Sequence, residues 1–474
     1  ITSELAEPQS LISDLEMSNF IYLDGYQLPA QEWTSTPASA IPAIPSVPGV
    51  AYTLEAAFVE VEKDGLVTEQ GEVTYFLDGL AGVASVTVSP DGGHVYAAGF
   101  YSNAIVVFSR DSSTGALVAV DANADADVDA DFVELQKDGV GGVDGLAGVY
   151  SVTVSPDGSH VYAAGRIDDA VTVFSRDSST GALTYIEMYK DGVDGLDGAR
   201  SVTVSPDGSN VYAAGSVDDA VTVFSRDSST GALTYIEMHK DRVGGVYGLN
   251  GVASVTVSPD GGHVYAAGYL SNAIAVFSRD SSTGALTYIE MHEDGVDGVD
   301  GLDRSVSATV SPDGSHVYVT GLGDDAVAVF ARDSFTGALT YIEMYKDGVD
   351  GVDGLAGAYS ITVGPDGSHV YVAGTLDDAV AVFSRDSDTG ALTYVEMYKD
   401  GVAGVEGLDG VRSVTVSPDG SHVYAAGWSD FSIAVFSPHT TEQLATVIIR
   451  RAVPAVPEEP ASTAYAGCGT TNGK

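Results

Sequence analysis

Cationic residues are scarce in this chain. Only 20 of its 474 residues are Lys or Arg, against 67 Asp or Glu, and the formal net charge is −47. Such a field repels nucleic acid and anionic membrane surfaces, so neither is expected as a partner. An excess of acid on a folded protein instead suggests cation binding, a saline habitat, or both.

Cysteine and long apolar runs are also nearly missing. The single cysteine, Cys468, excludes an internal disulfide and is left either to pair between chains or to stay a free thiol. No apolar run is long enough to span a bilayer. The sequence begins at Ile1 rather than Met, which is typical of a mature protein whose signal peptide has been removed. We therefore expect an exported protein in the periplasm, at the cell surface or outside the cell.

What the sequence does contain is a repeat of four strand-like runs. Each unit has a hairpin such as SVTVSPDGSHVYAAG, a strand such as DDAVTVFSRD, a turn SSTG and a strand such as ALTYIEMYKDG. Counted on the turn prolines, the intervals are 66, 50, 53, 53, 53 and 53 residues, with one long insertion after Leu117. The prolines are Pro90, Pro156, Pro206, Pro259, Pro312, Pro365 and Pro418. This pattern predicts an all-β protein, a β-propeller with one four-stranded antiparallel blade per repeat.

The two chain ends decide the blade count. A copy of the outer strand motif, FVEVEKDG at residues 58–65, precedes the first hairpin, and the last repeat from Val414 to Phe436 lacks an outer strand. We predict that the early strand completes the last blade and closes a seven-bladed ring. The predicted domains are an N-terminal extension (1–50), the propeller (51–439) and a C-terminal extension (440–474).

The two extensions are expected to mediate self-association. A short helix is predicted from Leu5 to Met17, followed by a proline-rich arm that runs extended, as does the proline-containing tail. Residues 444–451, LATVIIRR, form one strand more than the ring needs. That strand either adds to the closing blade or pairs with a neighbouring molecule.

Residues copied in every blade are expected to serve the blade. One Arg per repeat in the Ser/Ala-Arg-Asp turn, and one Lys before the inter-blade Asp, are interpreted as local charge partners. One His per repeat, after the Asp-Gly turn, is assigned to turn hydrogen bonding, because equivalent points on adjacent blades lie on the order of 10 Å apart, too far for chelation. These residues are Arg110, Arg176, Arg226, Arg279, Arg332 and Arg385; Lys63, Lys137, Lys190, Lys240, Lys346 and Lys399; His94, His160, His263, His316, His369 and His422.

Positions that differ between blades are free to serve a ligand. Two rings of unlike residues face the predicted central opening, one after the hairpin glycine and one just before the innermost strand. Arginines and aromatics in these rings suit an anionic or sugar-like ligand such as an extracellular glycan or small anion, whereas drift of exposed turn residues is the alternative. The candidate ligand residues are Phe100, Tyr150, Arg166, Arg200, Tyr269, Tyr359, Arg412 and Trp428.

Aspartates spaced by glycine on the same face predict Ca²⁺ sites, because carboxylates supply hard oxygen ligands. The insertion adds a partial match to an EF-hand, in which Ala126 replaces the turn glycine and Phe132 the bidentate Glu; a solvated acidic loop is the alternative. No organic cofactor is expected. The candidate ligands are Asp121, Asn123, Asp125, Asp127, Asp191, Asp194, Asp197, Asp294, Asp297, Asp300, Asp347, Asp350 and Asp353.

The motifs SPDGSHVYAAG and DDAVTVFSRDSSTGAL resemble the bacterial lactonase-like, YVTN-type β-propeller family over residues 58–436. The resemblance implies the propeller fold. Members include lactone hydrolases such as 6-phosphogluconolactonase-like enzymes and surface propellers with no known reaction. The enzymes use an Arg, Glu and His grouping at the central opening. This grouping cannot be matched residue by residue here: Arg200 and Arg412 are candidates for the arginines, and no Glu or His is placed at the opening.

Three functions follow from these observations. The leading prediction is an exported structural or binding module that binds Ca²⁺ and self-associates through its extensions. The alternatives are a lactone hydrolase acting at the central opening, and a carbohydrate- or partner-binding propeller without catalysis, which would use Trp428, Phe100 and Tyr269.

Overall fold

The computed structural model describes residues 79–119, 135–190, 192 and 195–437, and the backbone of five strands nearer the amino terminus. The chain divides into two compact units, residues 1–54 with 446–474, and residues 55–445. The first unit contains a short hairpin, Tyr22–Leu23 with Tyr26–Gln27. The predicted helix at Leu5 to Met17, the proline-rich arms, most of the insertion and strand 444–451 lie outside the described residues.

The second unit is the predicted seven-bladed propeller of antiparallel blades. Blades 2 to 6 are four-stranded meanders that run from the axis outward. Their strands are Val149–Val154, His160–Gly165, Ala170–Arg176 and Leu183–Lys190; Ala199–Val204, Asn210–Gly215, Ala220–Arg226 and Leu233–Lys240; Val252–Val257, His263–Gly268, Ala273–Arg279 and Leu286–Glu293; Ser305–Val310, His316–Gly321, Ala326–Arg332 and Leu339–Lys346; Ala358–Val363, His369–Gly374, Ala379–Arg385 and Leu392–Lys399.

Blade 1 has a divided outer strand. Its inner strands are Val83–Val88, His94–Gly99 and Ala104–Arg110. Both Leu117–Ala119 and Leu135–Lys137 pair with the third strand, so the insertion leaves the blade from the middle of its outer edge. Such an insertion leaves the ring intact.

Blade 7 closes the ring as predicted. Its inner strands are Val411–Val416, Val423–Gly427 and Ser432–Ser437, and Ala57–Lys63 pairs with the third of them. A further hairpin, Gly65–Glu69 with Glu72–Leu77, follows the closing strand. The two ends of the propeller therefore share one sheet. Among the described residues, no helix is long and apolar enough to cross a membrane.

The core consists of seven apolar clusters, one at each junction between blades. At the junction of blades 7 and 1, Tyr424 and Val435 pack with Val95 and Phe108, all with no exposed surface. Burying one such side chain is worth roughly 1.5–3 kcal/mol. The apolar faces of every blade are thus covered by its neighbours, as the repeat pattern requires.

The repeated arginines correct one prediction, because they join blades rather than serving as partners within a blade. Arg176 of blade 2 donates through Nε to Tyr96 Oη (2.6 Å) and through Nη2 to both carboxylate oxygens of Asp91 (3.0 and 2.8 Å) in blade 1. Each such arginine has three kinds of side-chain acceptor in the preceding blade: the turn Asp, the His or Asn that follows the turn, and the strand Tyr. We call these three acceptors of one blade the arginine slot. Arginines from the next blade fill six slots: Arg110, Arg176, Arg226, Arg279, Arg332 and Arg385.

The repeated histidines lie in these slots and also hydrogen-bond in their own turns, as predicted. For example, Nδ1 of His160 lies 2.6 Å from Ser159 Oγ, and the backbone N–H of His160 donates to Ser155 Oγ over 3.0 Å. Nδ1 of His94 lies 2.9 Å from Nη2 of Arg176. Since a guanidinium can only donate, the imidazole nitrogen must accept and the ring must be neutral. Burial, and then the charge of Arg176, lower the pKa of His94 accordingly. In blade 3 the amide oxygen of Asn210 takes the same place, 2.8 Å from Arg279. This position of the slot therefore requires a hydrogen-bond acceptor for the arginine, which either a neutral His or an Asn supplies.

Candidate functional site

A β-bulge in each innermost strand builds the candidate site. In every blade the pairing of the first two strands skips the second residue of the innermost strand, as between Val149 and Ser151. A bulge re-aims a side chain at the rim of a sheet. The skipped residues, which the sequence placed just before the strand, lie within it: Ala84, Tyr150, Arg200, Ala253, Val306, Tyr359 and Arg412.

Three of these residues, Tyr150, Arg200 and Arg412, form a cup together with residues that follow the second strand in blades 1, 2 and 7. Its lining is Phe100, Tyr101, Tyr150, Arg166, Arg200, Arg412 and Trp428, around a volume of about 260 Å³. The lining comes from blades 7, 1, 2 and 3, so the cup lies to one side of the ring. Its walls are aromatic and its polar groups are guanidinium, phenol and the indole N–H of Trp428. Among the residues that the structure describes, neither a carboxylate nor an imidazole lines the cup.

A cluster of two tyrosines and an arginine crosses the opening. The hydroxyls of Tyr150 and Tyr359 are hydrogen-bonded to each other, and Nη2 of Arg200 donates to Tyr359 Oη over 2.7 Å. The guanidinium of Arg200 also lies 5.2 Å from the centre of the Tyr150 ring and 5.8 Å from that of Tyr269. Blades 2, 3, 4 and 6 thus converge on one guanidinium.

The two tyrosines differ in acidity. Burial opposes ionisation of Tyr150, but the positive charge of Arg200, the hydrogen bond with Tyr359 and the charge of Arg412 outweigh it, so the pKa of Tyr150 lies below its ordinary value. Burial raises the pKa of Tyr359 despite Arg200, and the neighbouring Tyr150 raises it further. Arg200 keeps its proton, because the two phenols beside it outweigh its burial and raise its pKa. Tyr150 is therefore the more acidic of the two phenols.

Arg412 is held in place by an aromatic ring. Its guanidinium carbon lies 3.7 Å from the centre of the Trp428 ring, a close cation–π contact, and 5.5 Å from that of Tyr359. Its Nε atom is buried, and within the described part of the chain it is the only buried side-chain polar atom without a hydrogen-bond partner. A donor without an acceptor in a cup of this composition favours binding of an anionic ligand atom.

The structure places the eight predicted ligand residues around this one opening. Six line the cup, while Tyr269 and Tyr359 contact Arg200. Arg166 is exposed at the rim. The sequence analysis missed Tyr101, whose ring lies 5.0 Å from that of Trp428. Its position follows the ring after the hairpin glycine by one residue, where blades 2, 3, 4 and 6 carry exposed apolar residues such as Ile167, so the repeat comparison gave no signal.

The predicted calcium ligands are brought together only in part. In the described part of the chain, three groups of aspartates have carboxylate oxygens within 4.8 Å of one another: Asp138, Asp144 and Asp168; Asp294, Asp300 and Asp324; Asp347, Asp353 and Asp377. Asp297 and Asp350 belong to none of these groups. They occupy left-handed turn positions, at φ of 54° and 52°, and are exposed. Asp197 lies in a loop held by Asp218, and Asp121, Asn123, Asp125, Asp127, Asp191 and Asp194 lie outside the described residues.

The acidic groups already serve the fold. Asp294 accepts the backbone N–H of Leu302 (2.9 Å), and Asp324 accepts that of Asp303 (2.9 Å) and lies 3.6 Å from Lys346 Nζ. Burial raises the pKa of Asp294, and the charges of Asp324 and Asp300 raise it further, so the three carboxylates repel one another. A bound cation would relieve that repulsion.

The family comparison agrees with this architecture. The model described as lactonase, 7-bladed beta-propeller matches residues 130–244, 235–345 and 304–458, which together span more than half of the chain. None of the curated proteins matches the sequence.

Solved structures of several functions share the fold. A putative 6-phosphogluconolactonase from Bacteroides fragilis is 21% identical, with a TM-score of 0.53 over 75% of this chain and 97% of that one. The periplasmic gluconolactonase PpgL of Pseudomonas aeruginosa is 19% identical, with a TM-score of 0.52 over 67% and 85%. The Cps50 (Swd1) β-propeller domain of Myceliophteria thermophila reaches 0.54 at 12% identity over 81% and 100%. At these identities the likeness defines the fold alone.

Proposed function

Because this chain belongs to the lactonase family of seven-bladed β-propellers, we propose that it hydrolyses an anionic sugar lactone in the cup at the central opening. The observation that carries the proposal is the hydrogen-bonded Tyr150–Tyr359–Arg200 cluster beside the unpaired Nε of Arg412. The family and the sugar-lactonase names of two structural relatives support this alternative over the structural module that leads the sequence-based predictions.

Recognition of the substrate rests on charge and flat surfaces. Arg166, Arg200 and Arg412 supply positive charge for a carboxylate or phosphate of the sugar, and guanidinium forks suit both groups. Trp428 and Phe100, whose rings are 5.3 Å apart, offer apolar faces for the sugar ring. The cup volume of about 260 Å³ suits a small ligand.

The chemistry rests on Tyr150, since no Glu or His lines the cup. In the proposed step a water oxygen bonds to the lactone carbonyl carbon while its proton passes to the Tyr150 phenolate. The negative charge that develops on the carbonyl oxygen lies against Arg200 and Arg412. The ring C–O bond then breaks, and the departing alkoxide takes the proton back from Tyr150, which leaves the open hydroxy acid and restores the phenolate.

Proton release from a panel of phosphorylated and plain sugar lactones tests the proposal. We expect turnover above the spontaneous rate. Tyr150→Phe should lower kcat by roughly 10²–10⁴-fold with KM little changed, because the phenyl ring keeps the wall and removes the base. Arg200→Ala should lower kcat/KM by about 10²-fold or more. Arg304→Ala, which removes an exposed arginine outside the cup, is the matched control.

Binding without turnover is the second candidate, favoured by the lack of carboxylate and imidazole in the cup. Lactones or sugar acids would then bind with Arg200-dependent affinity, and no lactone of the panel would be hydrolysed faster than in buffer. Both results together would replace the hydrolase with a carbohydrate-binding propeller.

We also propose that the three aspartate groups bind Ca²⁺ weakly. Mutual repulsion of the carboxylates supports this, and the neighbouring lysines oppose it. Calorimetric titration of Ca²⁺ into the full chain and into Asp300→Asn is the test. Equal heats in both, or none, would remove this group from the proposal.

Export and self-association are carried forward as proposals from the sequence. The periplasmic relative supports export, which fractionation of cells that make the protein from its complete gene would test. Deletion of residues 440–474 should lower the particle mass in solution if the extensions link subunits, and an unchanged mass would count against that role.

A further inference from the structure

Each of the seven blades carries the acceptors of an arginine slot. In six of them an arginine of the next blade fills the slot, which identifies a guanidinium as the ligand that these acceptors bind. In each filled slot a guanidinium side chain with no exposed surface meets the turn Asp of the preceding blade at 2.7–3.1 Å. Its Nε donates to the strand Tyr, and its Nη1 donates to a turn carbonyl of its own blade, as from Arg385 to Gly367 over 3.0 Å. The acceptors are matched to one planar, five-donor cation.

The seventh slot lies between blades 6 and 7. Asp366, His369 and Tyr371 stand where Asp313, His316 and Tyr318 stand one blade earlier. The arginine position of blade 7 is occupied by Pro438, which has no side-chain donor. Among the described residues no guanidinium reaches these three acceptors.

His369 and Tyr371 of the seventh slot are more exposed than the equivalent residues of the filled slots. His369 is partly exposed, whereas His316 and the other slot histidines are buried. Tyr371 is 6% exposed, against none for Tyr318. A Cβ built on Gly420 would meet Pro365 at 3.5 Å, while the equivalent glycine Gly367 faces Nη1 of Arg385 at 3.3 Å. The three acceptors are therefore in place, with Asp366 exposed, His369 partly exposed and Tyr371 slightly more exposed than Tyr318.

We propose that the junction of blades 6 and 7 is a binding site for an arginine guanidinium supplied from outside the described ring. The slot is independent of the cup, because it lies at the Pro-Asp-Gly turns, on the face opposite to the bulge residues. Its chemistry excludes lysine as an equal ligand, because an ammonium cannot address Asp366, His369 and Tyr371 in the fork geometry of the six filled slots.

Two sources of the guanidinium can be distinguished. Arg450 and Arg451 follow Pro438 by twelve and thirteen residues, and twelve extended residues span up to about 40 Å. The other source is an arginine of a separate molecule, such as a peptide or a second copy of this chain.

Thermal unfolding of the full chain tests the site with two sets of measurements. The first is a double-mutant cycle between Asp366→Asn and the pair Arg450→Ala with Arg451→Ala. The second is a titration with N-acetyl-arginine amide, with N-acetyl-lysine amide as the matched control ligand. Asp313→Asn is the matched control variant, because it damages a slot that Arg385 already fills.

If the chain's own arginines fill the slot, the two changes each lower the unfolding midpoint, and together they lower it by less than their sum. Added arginine amide then raises the midpoint only when both arginines are replaced. If the source is a separate molecule, arginine amide raises the midpoint of the unchanged protein in a saturable way, and Asp366→Asn abolishes that rise while Asp313→Asn does not. Additive losses with no response to arginine amide in any variant would overturn the proposal.

Discussion

At the scale of single residues, the repeat makes each blade a control for the others. Where most blades carry Asp or Asn at one position, the effect of a different residue there on stability can be inferred by comparison with the equivalent residues of the other blades. The residue before the third strand is such a position. It lies in the left-handed region in blades 1 to 7, at φ of 52–57°, in Asn103, Asp169, Asp219, Asn272, Asp325, Asp378 and Phe431. Asn and Asp tolerate this conformation better than an aromatic residue does.

Phe431→Asn is therefore predicted to stabilise the protein by about 1 kcal/mol. The new side chain relieves backbone strain at φ 55° and supplies an acceptor across the junction of blades 7 and 1, as Asn103 does for the N–H of Gly148 over 2.8 Å. Urea unfolding measures the change. Phe335→Ser, which restores at a highly exposed Phe the residue of blades 1 to 4, should stay within about 0.5 kcal/mol. A loss of stability in Phe431→Asn would contradict the internal comparison.

The slot histidines predict how stability depends on pH. The pKa of His422 falls from 6.5 to about 4 because of burial and then the charge of Arg110. Between those pH values the unfolded chain binds more protons at this histidine than the folded chain does. The contribution of neutral His422 to the free energy of unfolding is therefore fully present above pH 6.5 and is lost as the pH falls toward 4. The acid of this slot acts only at lower pH, because, despite its burial, hydrogen bonds from Ser417 and Ser421 and the charge of Arg110 lower the pKa of Asp419.

His422→Asn should reduce proton uptake on unfolding near pH 5 by about one proton, because Asn210 shows that an amide can accept from the arginine. The converse change, Asn210→His, should add about one proton in the same pH range. Both are read from the slope of the free energy of unfolding against pH. Equal slopes in the three proteins would mean that the slot histidines do not titrate with folding.

At the scale of strands and blades, the repeat predicted the pairing well, because alternating β-branched residues and Pro-Asp-Gly turns specify a hairpin locally. The structure confirms the four-stranded blades and the place of the insertion. The bulges could not be predicted. A bulge is a property of pairing between strands, and it leaves no mark in a repeat where all seven units carry it. For the same reason the repeated arginines were predicted to be local charge partners, although their Tyr and Asp acceptors lie 64–85 residues earlier or, for Arg110, across the ring closure.

Arg226→Ala is predicted to lower the free energy of unfolding by roughly 2–3 kcal/mol, the range for loss of hydrogen bonds from a charged group, because Asp157 is partly exposed and keeps its turn hydrogen bonds. The change leaves Tyr162 Oη, the Asp157 carboxylate and the carbonyl of Gly208 without their donor between two blades. Lys190→Ala removes an exposed pair with Asp168, 3.3 Å across, and should cost less than about 1 kcal/mol. Denaturant titration compares the two. Equal small losses would show that the slots add little to the cohesion of the ring.

At the scale of the whole molecule, ring closure determines where the site lies. The chain ends meet in blade 7, and Arg110 joins blade 1 to blade 7 through Tyr424 and Asp419. Seven innermost strands then point their bulge residues at one opening, so that Tyr150 and Tyr359, 209 residues apart, come into contact. Composition of the two rings predicted which residues face the opening. It could not predict that the arginines and aromatics from blades 7, 1, 2 and 3 gather on one side, because the order of blades around the axis sets that arrangement.

The most direct test of the cup as an anion-binding site uses its own tryptophan. The chain has two tryptophans, Trp33 and Trp428, so a Trp33→Phe background makes Trp428 the only one. Titration with a phosphorylated sugar acid, the ring-opened form of the proposed substrate, should change its fluorescence in a saturable way. Adding Arg200→Ala, which leaves the contact of Trp428 with Arg412 in place, should weaken binding at least tenfold, and Arg304→Ala should not. A fluorescence that does not respond to the ligand, or that responds equally with and without Arg200, would contradict the placement of the site at the central opening.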